Sequence, residues 1–215
     1  RSYRGWLVIE PGEGKLSVIN ELPLEDYLLG VVPCEMPSSW PIECLKAQAI
    51  AARTYALSRA LSRANERFYL VDTVMSQVYR GFDVETPRTN NAVRETRGKV
   101  LTFAGRPISA MYSADAGGIS AGFDEVFSGN GVPYLISKPD TGSNGKPYSS
   151  GSKYAQWDLK LDKSRIEEIL SSRNFQLGEF KGMEILEKGA SGRVTSIKVT
   201  CEKGELVLKG NEFRN

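Results

Sequence analysis

The chain has 215 residues, of which 40% are hydrophobic and 25% charged, a composition that allows one sizeable core or two small lobes. Its 28 Lys and Arg against 26 Asp and Glu give a net charge of only +2, and no basic run is interleaved with aromatic residues, so we expect no nucleic-acid partner. No stretch approaches the roughly 18 consecutive apolar residues of a membrane-spanning helix.

The first predicted elements are a hairpin and two helices. Residues 4–22 hold two strand-like runs around a Pro-Gly-Glu-Gly turn, which predicts a β-hairpin. A short helix is predicted over 24–32, because prolines bound the next segment, 33–37, on both sides. Glu35 lies inside that break. A long helix is predicted over 41–64, begun by a proline in its first turn.

The middle of the long helix, residues 47–57, is small or apolar on nearly every face, which is typical of a buried helix. Gln48, Arg53 and Thr54 interrupt this run with polar groups. A buried guanidinium without charged or hydrogen-bonding partners costs on the order of several kcal/mol. We therefore expect Arg53 to hold a partner.

The remaining pattern completes an α+β chain. A long region without periodicity, 114–156, is rich in Gly and Ser and is a candidate wall of a cleft. The predicted elements around it are a strand at 68–74, a helix at 87–97 closed by Gly98, a hairpin of 99–103 and 107–113, a helix at 162–172 begun by Asp162 or Ser164, and two or three strands between 183 and 208. We expect a single catalytic domain over 1–215, with central Ala-rich helices packed with β-hairpins as one or two lobes around a substrate cleft.

The sequence contains no histidine and only three cysteines. Without an imidazole, Ser-His-Asp and Cys-His nucleophile systems and most zinc sites are excluded, which leaves a carboxylate, a lysine or a tyrosine for acid-base chemistry. Cys34, Cys44 and Cys201 are interpreted as small buried thiols, and a disulfide between Cys34 and Cys44 is the alternative.

Several spaced motifs resemble the stage II sporulation protein D family of lytic transglycosylases. The two longest are LPLEDYLLGVVPCEMP at 22–37 and LKAQAIAARTYAL at 45–57. The resemblance covers essentially the whole chain in order, since it continues through Asp72-Thr73, SQVYRG at 76–81, NAVRETRG at 91–98, Gly117-Gly118 and the closing residues 208–214.

The resemblance implies which residues carry the chemistry. The catalytic acid of the family is the glutamate of its E-M-P motif, which falls on Glu35, and a second active-site residue falls on Arg53. The implied reaction cleaves the bond between N-acetylmuramic acid and N-acetylglucosamine without water and leaves a 1,6-anhydro end. One carboxyl group can first give and then take the proton, so a second acid is dispensable. This differs from the usual pair of acids in glycosidases.

Glu35 should be protonated before the attack. Burial among Val31, Val32, Met36, Pro37 and Trp40 would raise its pKa in the useful direction. A direct ion pair with Arg53 would have the opposite effect. We therefore expect Arg53 to contact a substrate oxygen or N-acetyl group.

Other polar side chains are candidates for hydrogen bonding or stacking with sugar rings, and each has a structural role as the alternative. These predicted substrate-binding residues are Gln48, Ser76, Gln77, Tyr79, Ser113 and Tyr134, while Asp72 with Thr73 is interpreted as a structural turn.

The chain departs from the family where some relatives bind zinc. The two cysteine positions correspond to Leu70 and Ser76, and Ser113 stands where members often carry a histidine. A lysine that follows a cleft tyrosine in some members corresponds to Ile136. We expect no metal and no cofactor.

Two other functions remain open. Relatives are described as amidase enhancers, so the chain can instead be a non-catalytic glycan-binding module that stimulates a cell-wall amidase, or a structural domain of a larger assembly. The expected partners are peptidoglycan glycan strands stripped of stem peptides, and an amidase in the second case. We expect an extracytoplasmic location, secreted or anchored through a segment upstream of residue 1.

Overall fold

The computed structural model describes every residue except Glu13, Ser128, Asn130, Lys153, Tyr154 and Asn215. Five of these, Glu13 in the predicted first turn and Ser128, Asn130, Lys153 and Tyr154 in the predicted cleft wall, therefore lie outside the described residues. The chain divides into two compact units, Arg1–Tyr112 and Ser113–Asn215. The combination of helices with small antiparallel sheets in the described residues confirms the α+β class.

The first unit contains a hairpin followed by three helices. Strands β1 (Trp6–Gly12) and β2 (Lys15–Glu21) pair antiparallel, as predicted, with Ile9 opposite Val18. The helices are α1 (Leu24–Glu35), α2 (Ile42–Ser62) and α3 (Pro87–Glu95). A second, much shorter hairpin than predicted pairs β3 (Thr102–Phe103) with β4 (Arg106–Pro107). Its tight turn places Ala104 at φ 49° and Gly105 at φ 76°.

The core of this unit lies where α1, α2 and α3 meet. Its buried side chains come from all three helices and from Tyr79, and they are Leu28, Leu29, Val31, Val32, Ala49, Ala52 and Val93. The small residues of α2 let α1 and α3 approach it closely, as the Ala-rich pattern predicted. A branched or aromatic side chain at Ala49 or Ala52, which are both fully buried, would not fit this packing.

Two predictions for this unit are wrong. Helix α1 does not end at residue 32 but continues through Glu35, with Pro33 inside it. The helix stops one residue later, because Met36 precedes Pro37 and is extended at φ −145° and ψ 135°. No strand forms over 68–74, where the chain makes bends and turns. These lead into an extended segment, residues 77–81, that passes α1.

The second unit contains a three-stranded antiparallel sheet and short helices. The sheet has the order β5 (Phe180–Lys188), β6 (Val194–Cys201) and β7 (Gly204–Lys209). Its core is formed by Leu170, Val199 and Cys201. The helices are α4 (Phe123–Val126), α5 (Lys163–Ser172) and α6 (Gly210–Arg214), so the closing residues form a short helix after the last strand. Asp162 caps α5 by accepting the Arg165 N–H at 2.8 Å.

The extended segment approaches α1 most closely at Gly30. A Cβ atom at this position would lie 2.6 Å from the Tyr79 ring and 2.8 Å from the carbonyl oxygen of Gly81. The Arg80 N–H donates to the Gly30 carbonyl at 3.4 Å. Glycine at this position therefore lets the segment containing residues 79–81 lie directly against the helix.

We predict that Gly30→Ala destabilises the protein by about 1–3 kcal/mol, because the added methyl group collides with backbone as well as with a ring. The usual effect of this substitution inside a helix is the opposite, a gain of up to about 1 kcal/mol. Urea denaturation measures the difference. The matched control is Gly182→Ala in β5, where an added Cβ meets nothing within 4 Å; a Gly30→Ala variant as stable as this control would contradict the close approach.

Candidate active site

Glu35 occupies the last position of α1 and is half-buried. Its Oε1 accepts the backbone N–H of Val78 at 2.7 Å. Val31 and Val32 are fully buried in the core, whereas Pro37 and Trp40 are exposed, with 48% of Trp40 accessible. Of the apolar surroundings predicted for Glu35, Val31 and Val32 of α1 are therefore buried, whereas Pro37 and Trp40 leave the side beyond the helix end open.

Gln77 organises the polar groups next to Glu35. Only 1% of this residue is exposed, and its Nε2 donates to the Ala52 carbonyl at 3.2 Å and to the Tyr112 hydroxyl at 3.1 Å. Its Oε1 accepts the Tyr27 hydroxyl at 3.3 Å. All of its hydrogen bonds are made inside the protein, so the predicted role of Gln77 as a direct substrate ligand is corrected to that of a group that positions two tyrosines.

Tyr112 and Tyr27 place phenol groups beside the carboxylate. Burial raises the pKa of Tyr112 above its ordinary value; the Gln77 hydrogen bond lowers it, and the charge of Glu35 and a hydrogen-bonding interaction with it raise it again. Burial also raises the pKa of Tyr27, with the charges of Tyr112 and Glu35 adding to the effect. Both phenols therefore stay neutral and can donate hydrogen bonds at neutral pH.

Tyr27, Tyr112 and the Val78 N–H were not among the site groups predicted from the sequence. One signal was available for Tyr27, because positions 27, 31 and 35 follow each other at the four-residue spacing that shares a helix face. No local pattern indicates Tyr112, which reaches the site from a segment far along the chain. A backbone N–H is not visible in any residue pattern.

Arg53 is buried in an ion pair at the opposite end of α1. The residue is 1% exposed, and its Nε and Nη2 each donate to one carboxylate oxygen of Glu25 at 2.9 Å. The remaining donors bind the C-terminal end of α3 and the following turn, through the carbonyl oxygens of Val93 at 3.1 Å and Lys99 at 3.2 Å. The expectation that Arg53 holds a partner is met by Glu25.

The predicted contact of Arg53 with substrate is therefore corrected. A guanidinium has five N–H donors in a fixed plane, and here they are directed at protein oxygens with almost no exposed surface. The structure gives Arg53 a structural role that joins α1, α2 and α3. Its carboxylate partner is Glu25 and not Glu35, as the argument against a clamped Glu35 required.

Two other predicted ligands also have structural partners. Tyr79 is 7% exposed, packs in the core, and donates its hydroxyl to Asn20 Oδ1 at 2.8 Å. Ser76 accepts the Val71 N–H at 3.3 Å within a turn that also contains Thr73. Tyr79 is therefore assigned a structural role, whereas a glycan contact of the half-buried Ser76 hydroxyl stays a prediction.

Three other predicted residues also remain candidates. Gln48 lies on α2 with its amide unpaired, as described below. Ser113 and Tyr134 belong to the second unit, where Ser113 is exposed and Tyr134 is half-buried in a turn at 132–135. A role for these three in glycan binding stays a prediction.

Several acidic side chains elsewhere in the first unit are paired with cations, whereas Glu21, Asp26 and Asp72 have no ion pair among the described residues. Glu25 pairs with Arg53, Glu85 with Arg4 at 2.7 Å, and Glu95 with Lys46 at 2.6 Å. Among the described residues Glu35 has no cationic partner and is held by the Val78 N–H and the neutral phenol. Its surroundings therefore differ from those of Glu25, Glu85 and Glu95.

The three cysteines are free thiols, so the disulfide alternative for Cys34 and Cys44 does not form. Cys201 is buried and the other two are half-buried. Burial raises the pKa of the Cys34 thiol, which lies 3.3 Å from the Gly30 carbonyl. Within the described part of the chain, no cluster of three or more metal-ligating side chains is placed to hold an ion, and no helix is long and apolar enough to cross a membrane.

Comparison with known proteins agrees with the motifs. Residues 12–103 match the family model of SpoIID, described as stage II sporulation protein. The chain belongs to the SpoIID family. The matched region contains Glu35, Gln48, Arg53 and Gln77, and thus most of the site described above.

Three relatives illustrate the range of this family. The chain is 35% identical over 198 residues to an uncharacterised protein of Brachyspira hyodysenteriae, a match of 92% of this chain and 52% of that protein. It is 43% identical over 140 residues to the amidase enhancer of Bacillus subtilis, covering 65% of this chain and 17% of the enhancer. The stage II sporulation protein D of Bacillus amyloliquefaciens is 28% identical over 91% of this chain and 56% of its own length. The chain thus spans about half of two of these relatives and a smaller part of the enhancer.

We predict that Glu25→Gln destabilises the protein by on the order of 3 kcal/mol at neutral pH, because Arg53 would be left buried without its counter-charge. Chemical denaturation measures the loss. The control is Glu66→Gln, which removes a carboxylate from an exposed pair with Arg63 and should change stability by less than about 0.5 kcal/mol. Equal effects of the two substitutions would contradict the structural role of the buried pair.

The same pair predicts a pH dependence. Burial raises the pKa of Glu25, but the hydrogen bonds from Arg53 and the Gly98 N–H outweigh it and hold the pKa below the ordinary 4.5. The contribution of the Glu25 carboxylate to the free energy of unfolding is therefore complete above about pH 4.5. It is lost as the pH falls through the lowered pKa of the folded state. The stability difference between wild type and Glu25→Gln should shrink on acidification below 4.5, and a difference that stays constant would show that the charge is not responsible.

Proposed function

We propose that this protein cleaves peptidoglycan glycan strands between N-acetylmuramic acid and N-acetylglucosamine without water, with Glu35 as general acid and then general base. The observation that carries the proposal is the setting of Glu35, a half-buried carboxylate that is positioned by a backbone N–H at 2.7 Å and has no cationic partner among the described residues. Membership of the SpoIID family supports the choice of substrate class.

The proposed reaction uses one carboxyl group twice. Glu35 gives its proton to the glycosidic oxygen as the bond from C1 to that oxygen breaks. The 6-hydroxyl of the same muramic acid residue then forms a bond to C1, and its proton passes to the Glu35 carboxylate. The products are a new sugar end and a 1,6-anhydro end, and the enzyme returns to its starting protonation state.

Neutral donors suit this double role. A carboxylic acid keeps a carbonyl oxygen that can accept the Val78 N–H, so this hydrogen bond can survive in both protonation states. An arginine in the same place would favour the charged form in the way that Arg53 does for Glu25. Gln77 supports the arrangement because it holds the Tyr112 hydroxyl from a fully buried position.

A second candidate function has a specific observation in its favour. The relative at 43% identity is named an amidase enhancer. In this alternative the chain binds glycan strands without cleaving them and stimulates a cell-wall amidase. Either function places the protein outside the cytoplasmic membrane, where peptidoglycan lies, and needs no metal or other cofactor.

We predict that Glu35→Gln lowers kcat/KM for glycan strands by about 10²–10⁴-fold, the usual contribution of a general acid-base group. Strands freed of stem peptides serve as substrate, and mass spectrometry of the products detects anhydro ends by the loss of one water relative to hydrolysis. The control is Glu43→Gln, which removes a carboxylate that is 77% exposed and should leave the rate unchanged. Undiminished turnover by Glu35→Gln would contradict the mechanism.

The wild-type protein separates the two functions in the same assay. Anhydro products from wild type support the enzyme. Binding to the strands without any product, together with faster cleavage by an added amidase, would support the enhancer and overturn the proposed chemistry.

A further inference from the structure

Gln48 is an exception among the buried polar side chains. Those described as buried are Gln48, Arg53, Thr54, Gln77, Thr89 and Thr96, and all except Gln48 make side-chain hydrogen bonds within the described chain. Gln48 is 8% exposed, and its Nε2 has no partner among the described residues. An unpaired buried donor is destabilising, so the amide is better explained by a ligand than by packing.

The helix geometry directs Gln48 toward Glu35. Helices α1 and α2 run antiparallel. The Glu25–Arg53 pair joins the start of α1 to the middle of α2, and a short link joins the end of α1 to the start of α2. Side chains on a helix lean toward its N-terminus, so Gln48 leans toward the start of α2 and Glu35 leans back from the end of α1. Along the helix axes, each side chain therefore leans toward the level of the other.

The shared helix face leads to the same place. Gln48 and Ala52 are four residues apart and lie on one face of α2. The Ala52 carbonyl accepts the Gln77 amide, and the residue after Gln77 donates its N–H to Glu35. Gln48 thus lies on the face of α2 that borders the proposed catalytic carboxyl.

The ligand of Gln48 must supply an acceptor without bringing charge. A sugar hydroxyl both donates and accepts, and so needs no amide donor in particular. A carboxylate would place a negative charge next to Glu35 once that residue has given up its proton. The carbonyl oxygen of a 2-acetamido group, which both sugars of the strand carry, is a neutral acceptor that fits.

We propose that Gln48 is the specificity-determining residue that recognises the 2-acetamido group of the sugar bound beside Glu35, by donating from Nε2 to its carbonyl oxygen. The inference rests on the proposed function and deepens it, since it assigns the group that selects N-acetylated strands. The terminal amide reaches the ligand by turning about its last side-chain torsion, which has a broad, shallow energy profile.

The test is a cycle of two proteins and two substrates. Wild type and Gln48→Met are assayed on stem-peptide-free strands and on the same strands after chemical de-N-acetylation. We expect Gln48→Met to lose about tenfold in kcat/KM on N-acetylated strands and little on the de-N-acetylated ones. De-N-acetylation creates ammonium groups on the sugars, and these affect both proteins. Their effect therefore cancels when the mutant-to-wild-type ratio of kcat/KM on one substrate is divided by that on the other. Equal losses on both substrates would overturn the assignment.

Stability provides the matched control. Methionine has the length of glutamine and no polar group to leave unpaired, so Gln48→Met should be as stable as wild type or more stable. Gln77→Met makes the same change at a glutamine with three internal partners and should be clearly less stable. A comparable loss of stability at Gln48 would show that its amide is structural.

A binding measurement separates this inference from the proposed function. Calorimetry in the Glu35→Gln background compares affinity for the two kinds of strand with and without Gln48→Met. A preference for N-acetylated strands that Gln48→Met abolishes supports the acetamido contact even if wild type cleaves nothing. Cleavage by wild type without any such preference would leave the proposed function in place and overturn the role of Gln48.

Discussion

The buried ion pair between Arg53 and Glu25 is the interaction on which the first unit depends. One guanidinium joins the first turn of α1, the middle of α2 and the end of α3. The Gly98 N–H also donates to Glu25 Oε1, at 3.2 Å. A fully buried cation is tolerated only because nearly all of its donors are used. The pair lies at the opposite end of α1 from Glu35, and it sets the direction of this helix.

A second constraint turns this helical frame into a site. The extended segment lies against α1 only because Gly30 has no side chain, and this contact brings Gln77 and Val78 to the end of the helix. Gln77 then holds two phenols while its neighbour holds the carboxylate. Helix packing, one glycine and one buried amide are together sufficient to position Glu35 without any cation.

Local patterns predicted most helices and hairpins correctly because their signals are local. Thr86 before Pro87 and the positive φ of 72° at Gly98 mark the ends of the α3 region as the residue types suggest. The end of α1 was misjudged because Pro33 breaks helices in most settings, whereas here the turn is retained by the Met36 N–H bond to the Val32 carbonyl at 3.1 Å. The strand predicted over 68–74 failed because β propensity without a partner strand does not make a sheet.

The sequence indicated candidate site residues but not the partners that each of them has in the structure. The motifs drew attention to Glu35, Gln48, Arg53 and Gln77, yet a polar residue in an apolar helix looks the same whether it binds protein or ligand. The two roles are distinguished by the hydrogen-bonding partners that each side chain has in the folded protein, and these partners come from residues far apart in sequence. Arg53 and Gln77 find internal partners, so they build the frame. Gln48 finds none among the described residues, and Glu35 finds only neutral donors. Because buried polar groups are normally satisfied, Gln48 and Glu35 are the two of these four residues that we propose to interact with a substrate.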